Sequence, residues 1–152
     1  MGNICRSPTA EGVFRALAAR EAPQLKVETD SAGTHDYHVG DPPDVRALRV
    51  AAARGVNLSG LRARLLTVLD FDHFDLVLVM DRQNRDAALA IAPPYRHDKV
   101  RLLLDYAPEQ SLREVPDPYY GERAAFELVF ELTQQAARGL LASLTDSAAQ
   151  HP

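Results

Sequence analysis

The stretch that most constrains this chain is the run Leu76, Val77, Leu78, Val79 and Met80, followed at once by Asp81. Five apolar residues in succession leave no face for water. The run therefore suits a strand covered on both sides, as in a parallel sheet. A parallel sheet needs long crossovers, usually helices, and the surrounding sequence supplies them. Asp81 reads as a cap for a helix over 82–91, which Pro93 and Pro94 stop. Residues 100–104 are a second apolar strand. Residues 25–31 alternate apolar and polar side chains and read as another. Phe126, Val129, Phe130, Ala137, Leu140, Leu141 and Leu144 mark one long amphipathic helix. Asp41 and Pro42 read as the start of a further helix with Val45, Leu48 and Ala52 turned inward, closed by Gly55. A short helical stretch is expected at 67–71. The alternation of helix and strand predicts an α/β fold, a parallel sheet between two layers of helices. The 152 residues fit one domain, read as 1–144 with a flexible tail at 145–152.

Sheets of this kind bind ligands where a strand turns into a helix. The first residues offer such a turn. Ser7 and Pro8 read as a helix start, a hydroxyl cap and then proline at the first helical position. Ala10, Val13, Phe14, Leu17 and Ala18 follow at helical spacing, predicting a helix over 8–21. Gly2, Asn3, Ile4, Cys5 and Arg6 thus form a tight turn at a helix N-terminus. Backbone N–H groups and the positive helix end converge there, which suits a phosphate. Arg6 adds a planar, permanently charged fork that grips phosphate in a bidentate way. By the same fold logic a strand should feed this turn, and the sequence begins where that strand would end.

Composition narrows the classes. A net charge of −4 leaves no nucleic-acid footprint and no polybasic membrane patch. No apolar run has the length of a membrane span, and no signal-peptide pattern opens the chain. A single cysteine, Cys5, excludes an internal disulfide and fits a reducing cytoplasm. Without clustered Cys and His there is no metal-site pattern, and nothing in the sequence requires a cofactor. His38, His73 and His97 receive no role. Asp81 and Asn84 read as a strand-to-helix cap, and Arg62 to Arg64 as a solvated face.

Gly2, Asn3, Cys5, Arg6, Ser7 and Pro8 match the pattern Cys-x-Gly-Asn-x-Cys-Arg-Ser-Pro. The chain thereby resembles the low-molecular-weight protein tyrosine phosphatases. The likeness extends along nearly the whole chain: Asp30 to Gly33, Tyr37 to Gly40 with Pro43 and Asp44, Met80 to Asn84, and the second signature Asp117, Pro118, Tyr119, Tyr120, Gly121. The resemblance implies a four-stranded parallel sheet of order 2-1-3-4 in a three-layer α/β fold. It also implies hydrolysis of phosphotyrosine in proteins and of small aryl phosphates through a cysteinyl-phosphate, with no cofactor. Residues Gly2 to Ser7 would bind phosphate, Arg6 would clamp it, and Asp117 would be general acid and base. Ser7 would partner the thiolate, and Tyr37, Tyr119 and Tyr120 would wall the substrate cleft.

The family nucleophile would stand one place before Met1. Cys5 cannot replace it, because the geometry needs Cys-x5-Arg and the sixth residue after Cys5 is Glu11. The expectation is therefore a chain cut just after the nucleophile, inactive by itself, with its first, central strand missing. Removing one strand spaced about 4.8 Å from each neighbour leaves a slot of roughly 9.6 Å beside Val27 and Val77. A phosphate-binding module without turnover is the rival reading. Arsenate reduction needs further cysteines, which are absent. Phosphoarginine hydrolysis resembles a threonine at the position of Ile4, so Ile4 favours tyrosine.

Overall fold

The structure, a computed structural model, describes residues 2–150. Among these residues, α-helices and strands follow in the order α1 (Arg6–Glu21), α2 (Val45–Ala53), α3 (Asp70–His73), β1 (Val77–Val79), α4 (Arg82–Ile91), β2 (Val100–Leu102) and α5 (Arg123–Gln150), with 3-10 turns at Pro94–Lys99 and Leu103–Tyr106. β1 and β2 pair in parallel, Val77 opposite Val100, Leu78 opposite Arg101 and Val79 opposite Leu102. Val79 and Leu102 are buried with Phe71, Ala88 and Ala92 on the α4 side, where Val77 and Val100 also pack. Leu78 packs on the opposite side, against the core that α1, α2 and α5 build from Val13, Phe14, Leu17, Val50, Phe130 and Leu140. The three layers expected from the sequence are therefore present around a narrower sheet.

The sheet is where the expectation fails. Among the described residues it has two strands, not three or four, and the order 2-1-3-4 is not seen. Residues 25–31 carry no strand pairing. The physical reason lies beside them. A cavity of ≈ 780 Å³ separates 26–30 from 76–80 and is lined by both Val27 and Val77. Strand structure requires a neighbour within hydrogen-bonding distance, about 4.8 Å away, and across this cavity there is none. The only other parallel pairing among the described residues is a single bridge from Gly33 to Leu65.

Side-chain caps account for the starts of α2 and α4. Asp81 caps α4 by accepting from the Asn84 N–H at 2.7 Å. Asp44, not Asp41, caps α2, accepting from the Arg46 N–H at 2.8 Å. α2 thus starts three residues later than Pro42 suggested, and Ala47, Val50 and Ala51 face the core while Val45 is exposed. α1 begins at Arg6 with Cys5 at the cap position and no side-chain cap, so Ser7 is not the cap. The short helix lies at 70–73 instead of 67–71. α5 continues to Gln150, through most of the segment read as a tail; His151 and Pro152 lie outside the described residues. No helix among the described residues is long and apolar enough to cross a membrane.

Candidate active site

The turn before α1 is built by Asn3. Its φ of 63° is left-handed, a conformation Asn adopts more readily than most residues. Its side chain holds the turn from three directions. Asn3 Nδ2 donates to Ser7 Oγ at 2.7 Å and to Ser31 Oγ at 3.0 Å, and Asn3 Oδ1 accepts from the Arg64 N–H at 3.1 Å. Ser31 Oγ in turn donates to buried Glu11 at 2.6 Å. A Cβ at Gly2 would stand 2.6 Å from Cδ2 of His38, so the imidazole packs directly over the Gly2 backbone.

Arg6 is 4% exposed. Its Nη1 donates to Asp81 at 2.7 Å and to the Val115 carbonyl at 2.8 Å. Among the described residues Nε and Nη2 have no protein partner, so the rest of the fork is unengaged. Burial alone would raise the Asp81 carboxyl. The Arg6 hydrogen bond, the Asn84 N–H and the Arg6 charge outweigh it, and the pKa of Asp81 lies below the usual carboxylate value. The pairing could not be read from sequence, where Asp81 signalled only a cap.

Arg64, read as a solvated residue, is a hub. Nε donates to Asp30 at 2.9 Å and Nη2 to Asp70 at 2.9 Å, joining 25–31 to α3. Burial opposes ionisation of Asp70, but hydrogen bonds from Arg64 and Thr67 and the Arg64 charge win, lowering its pKa.

Cys5 is buried. Burial first, then the neighbouring Asp44 and Asp117 carboxylates, push its thiol up to about 12, against a smaller opposing effect of Arg46. A thiol with such a pKa is protonated at neutral pH, the reverse of an activated nucleophile. Asp117 lines the same cavity as the loop, and among the described residues its carboxylate accepts only from the Tyr119 N–H, at 3.2 Å.

Gly2, Asn3, Ile4, Cys5, Arg6, Ser7, Asp117, Tyr37, Tyr119 and Tyr120 all line one cavity, the same one that separates 26–30 from 76–80. Tyr119 and Tyr120 meet edge to face at 5.0 Å, and Tyr37 stacks on His35 at 5.2 Å. Sequence reasoning missed His38, which covers Gly2, lies 6.5 Å from Tyr119 and approaches Asp41 at 3.2 Å.

A parallel α/β core whose buried arginine and the turn before α1 share one cavity with an aspartate is the frame of an α/β protein with a polar cleft. The low molecular weight phosphotyrosine protein phosphatase profile matches residues 1–150, and the chain belongs to that family. It is 42% identical over 148 residues to the low molecular weight protein-tyrosine-phosphatase of Streptomyces coelicolor, covering 95% of this chain and 90% of that one. It is 38% identical over 144 residues to YfkJ of Bacillus subtilis, covering 95% and 91%. A protein tyrosine phosphatase of Entamoeba histolytica, crystallised with Hepes in its active site, superposes with a TM-score of 0.92 at 33% identity, covering 97% of this chain and 94% of that one. The fold is thus that of the family, and the activity is that of a low molecular weight protein-tyrosine phosphatase.

Proposed function

We propose that the chain hydrolyses phosphotyrosine in proteins and small aryl phosphates, with the phosphoryl group held by the 2–7 loop and Arg6. The observation that carries the proposal is the Arg6 guanidinium, which lines the cavity: Asp81 and Val115 fix Nη1, while Nε and Nη2 have no protein partner among the described residues. Such a fork stabilises charge on the equatorial phosphoryl oxygens. As a nucleophile bonds to phosphorus and the ester P–O bond breaks, Asp117, on the facing loop, gives its proton to the leaving phenolic oxygen; when water then displaces that nucleophile from phosphorus, Asp117 takes the water's proton. Tyr37, Tyr119 and Tyr120 offer faces for the aryl ring. In the family's chemistry a cysteine thiolate forms the transient S–P bond. Cys5 is unfit for that part, because its thiol stays protonated.

A second reading, phosphate binding without turnover, is favoured by that same property of Cys5. Turnover of p-nitrophenyl phosphate and binding of inorganic phosphate, measured on wild type and Cys5→Ser, separate the two. Turnover that survives Cys5→Ser supports hydrolysis with a nucleophile other than Cys5. Binding without turnover selects the second reading. Turnover abolished by Cys5→Ser would overturn the exclusion of Cys5 as nucleophile, and absence of phosphate binding would overturn both readings.

A further inference from the structure

The loop that carries Asp117 is held at two points, and an arginine serves each. Upstream, the Val115 carbonyl accepts from Arg6 at 2.8 Å, and the Val115 N–H donates to the Met80 carbonyl at 2.8 Å. Downstream, the Gly121 carbonyl accepts from Arg46 Nη1 at 3.2 Å. Between these points the Gly121 N–H donates to the Pro118 carbonyl at 2.8 Å and Pro118 is buried, whereas Tyr120 is 96% exposed and Asp117, among the described residues, accepts only from the Tyr119 N–H.

Arg46 stands in the first turn of α2 and is itself locked. Nε and Nη2 donate to the two oxygens of Asp44 at 3.0 and 2.9 Å. The guanidinium carbon lies 4.5 Å from the centre of the Phe126 ring and 5.6 Å from that of Tyr119. Asp44, in turn, donates its N–H to the Ile4 carbonyl at 2.8 Å. A continuous path therefore runs from the phosphate loop at Ile4 through Asp44 and Arg46 to Gly121 and Tyr119. Only a planar fork can make the Asp44 pair, the Gly121 hydrogen bond and two ring contacts together; a lysine ammonium cannot.

From this path we infer that Arg46 is a positioning residue of the active site: it holds the 117–121 loop over the phosphate loop, setting Asp117 and the Tyr119 ring against a bound aryl phosphate. The inference rests on the roles proposed above for Arg6 and Asp117. Arg46 touches no reacting atom, and its effect passes through Gly121 and Tyr119.

The test compares full-length wild type with Arg46→Met and Arg46→Lys. Lysine keeps the charge should the methionine variant fail to fold. Binding of inorganic phosphate and of phenylphosphonate is measured by calorimetry, and amide hydrogen exchange is followed along the chain. Phosphate needs Arg6 and the 2–7 loop alone, so its affinity should change less than about twofold. Phenylphosphonate also needs the tyrosine wall and should bind about tenfold more weakly, the loss of one aromatic contact. Exchange should rise at Tyr119, Tyr120 and Gly121 and stay unchanged in α1 and α4. Where turnover is measured, kcat should fall roughly 10- to 100-fold for phenyl phosphate, whose leaving group needs the proton, and much less for p-nitrophenyl phosphate. Equal loss of both anions, or faster exchange throughout, would mean a merely structural role and overturn the inference. Unchanged phenylphosphonate affinity with unchanged loop exchange would overturn it too. If wild type binds neither anion, the phosphate-site proposal fails, and the exchange at 119–121 still decides whether Arg46 holds the loop.

Discussion

Arg6 and Asp81 meet at 2.7 Å across 75 residues of sequence, joining the first residue of α1 to the turn after β1. Asp81 thereby works twice, as the cap of α4 and as the counter-charge of a buried guanidinium. Asp81→Asn should leave Arg6 less firmly oriented and cost about 1–3 kcal/mol at pH 7, the range for a broken buried polar contact. The carboxyl pKa is lowered in the folded state, so its contribution is present above the unfolded value of about 3.9 and is lost as pH falls through the folded value. Urea unfolding of wild type and Asp81→Asn should therefore differ at pH 7 and converge as the pH is lowered from about 5 towards 2. A gap that stays constant over that range would remove the ion pair from the explanation.

Asp117→Asn should separate proton transfer from binding. The carboxylic acid acts only as charge develops on the leaving oxygen, so turnover of phenyl phosphate should drop about 100- to 10,000-fold. Inorganic phosphate, competing as an inhibitor, should bind nearly as before. A rise in KM with kcat unchanged would assign Asp117 to ground-state binding instead.

Cys5 should resist alkylation. Its thiol is buried and pushed up to about 12, and the thiolate is the species that reacts. Iodoacetamide at neutral pH should leave native protein unlabelled by intact mass and label it fully in urea. Rapid single labelling of folded protein would show instead that the thiol is accessible and activated, and would reopen Cys5 as a nucleophile.

The helices are the most legible part of this chain. Asp81 before 82–91, with Pro93 after, marks α4 at both ends because caps and breakers act through bonds within a few residues. Pairing is less legible. Residues 25–31 have a strand's alternation, yet a strand depends on its neighbour, and the cavity beside Val27 and Val77 keeps the neighbour away. In the expected order 2-1-3-4 the strand at 25–31 has only the central strand as neighbour, so the slot and the lost pairing go together. The start of α1 misleads for a local reason: Ser7 spends its hydroxyl on Asn3, whose left-handed backbone makes the turn. Long-range roles leave no sequence trace. Arg46 and Arg64 look like ordinary surface charges, and only folding brings Gly121 and Asp30 to them across 75 and 34 residues.

Gly139 marks where α5 crosses the 3-10 turn that follows β2. A Cβ at Gly139 would collide with the carbonyl oxygen of Tyr106, which is backbone and cannot rotate away. A Cβ at Gly12 would also meet neighbours, the ends of the buried Leu58 and the Val56 side chains, which are side-chain and not backbone atoms and can yield by repacking. Alanine improves helix propensity at either site by roughly 1 kcal/mol, so the sign of each change depends on whether the neighbour can yield. Gly139→Ala should force α5 away from the turn, loosen the core around Leu103, Leu104 and Ala136, and cost about 1–3 kcal/mol net of propensity. Gly12→Ala should cost less, with Leu58 repacking against α1. Denaturant unfolding of the two variants side by side measures the difference. Equal stability of both would mean that α5 is free to shift along the 103–106 turn, and that the close contact at Tyr106 does not fix its position.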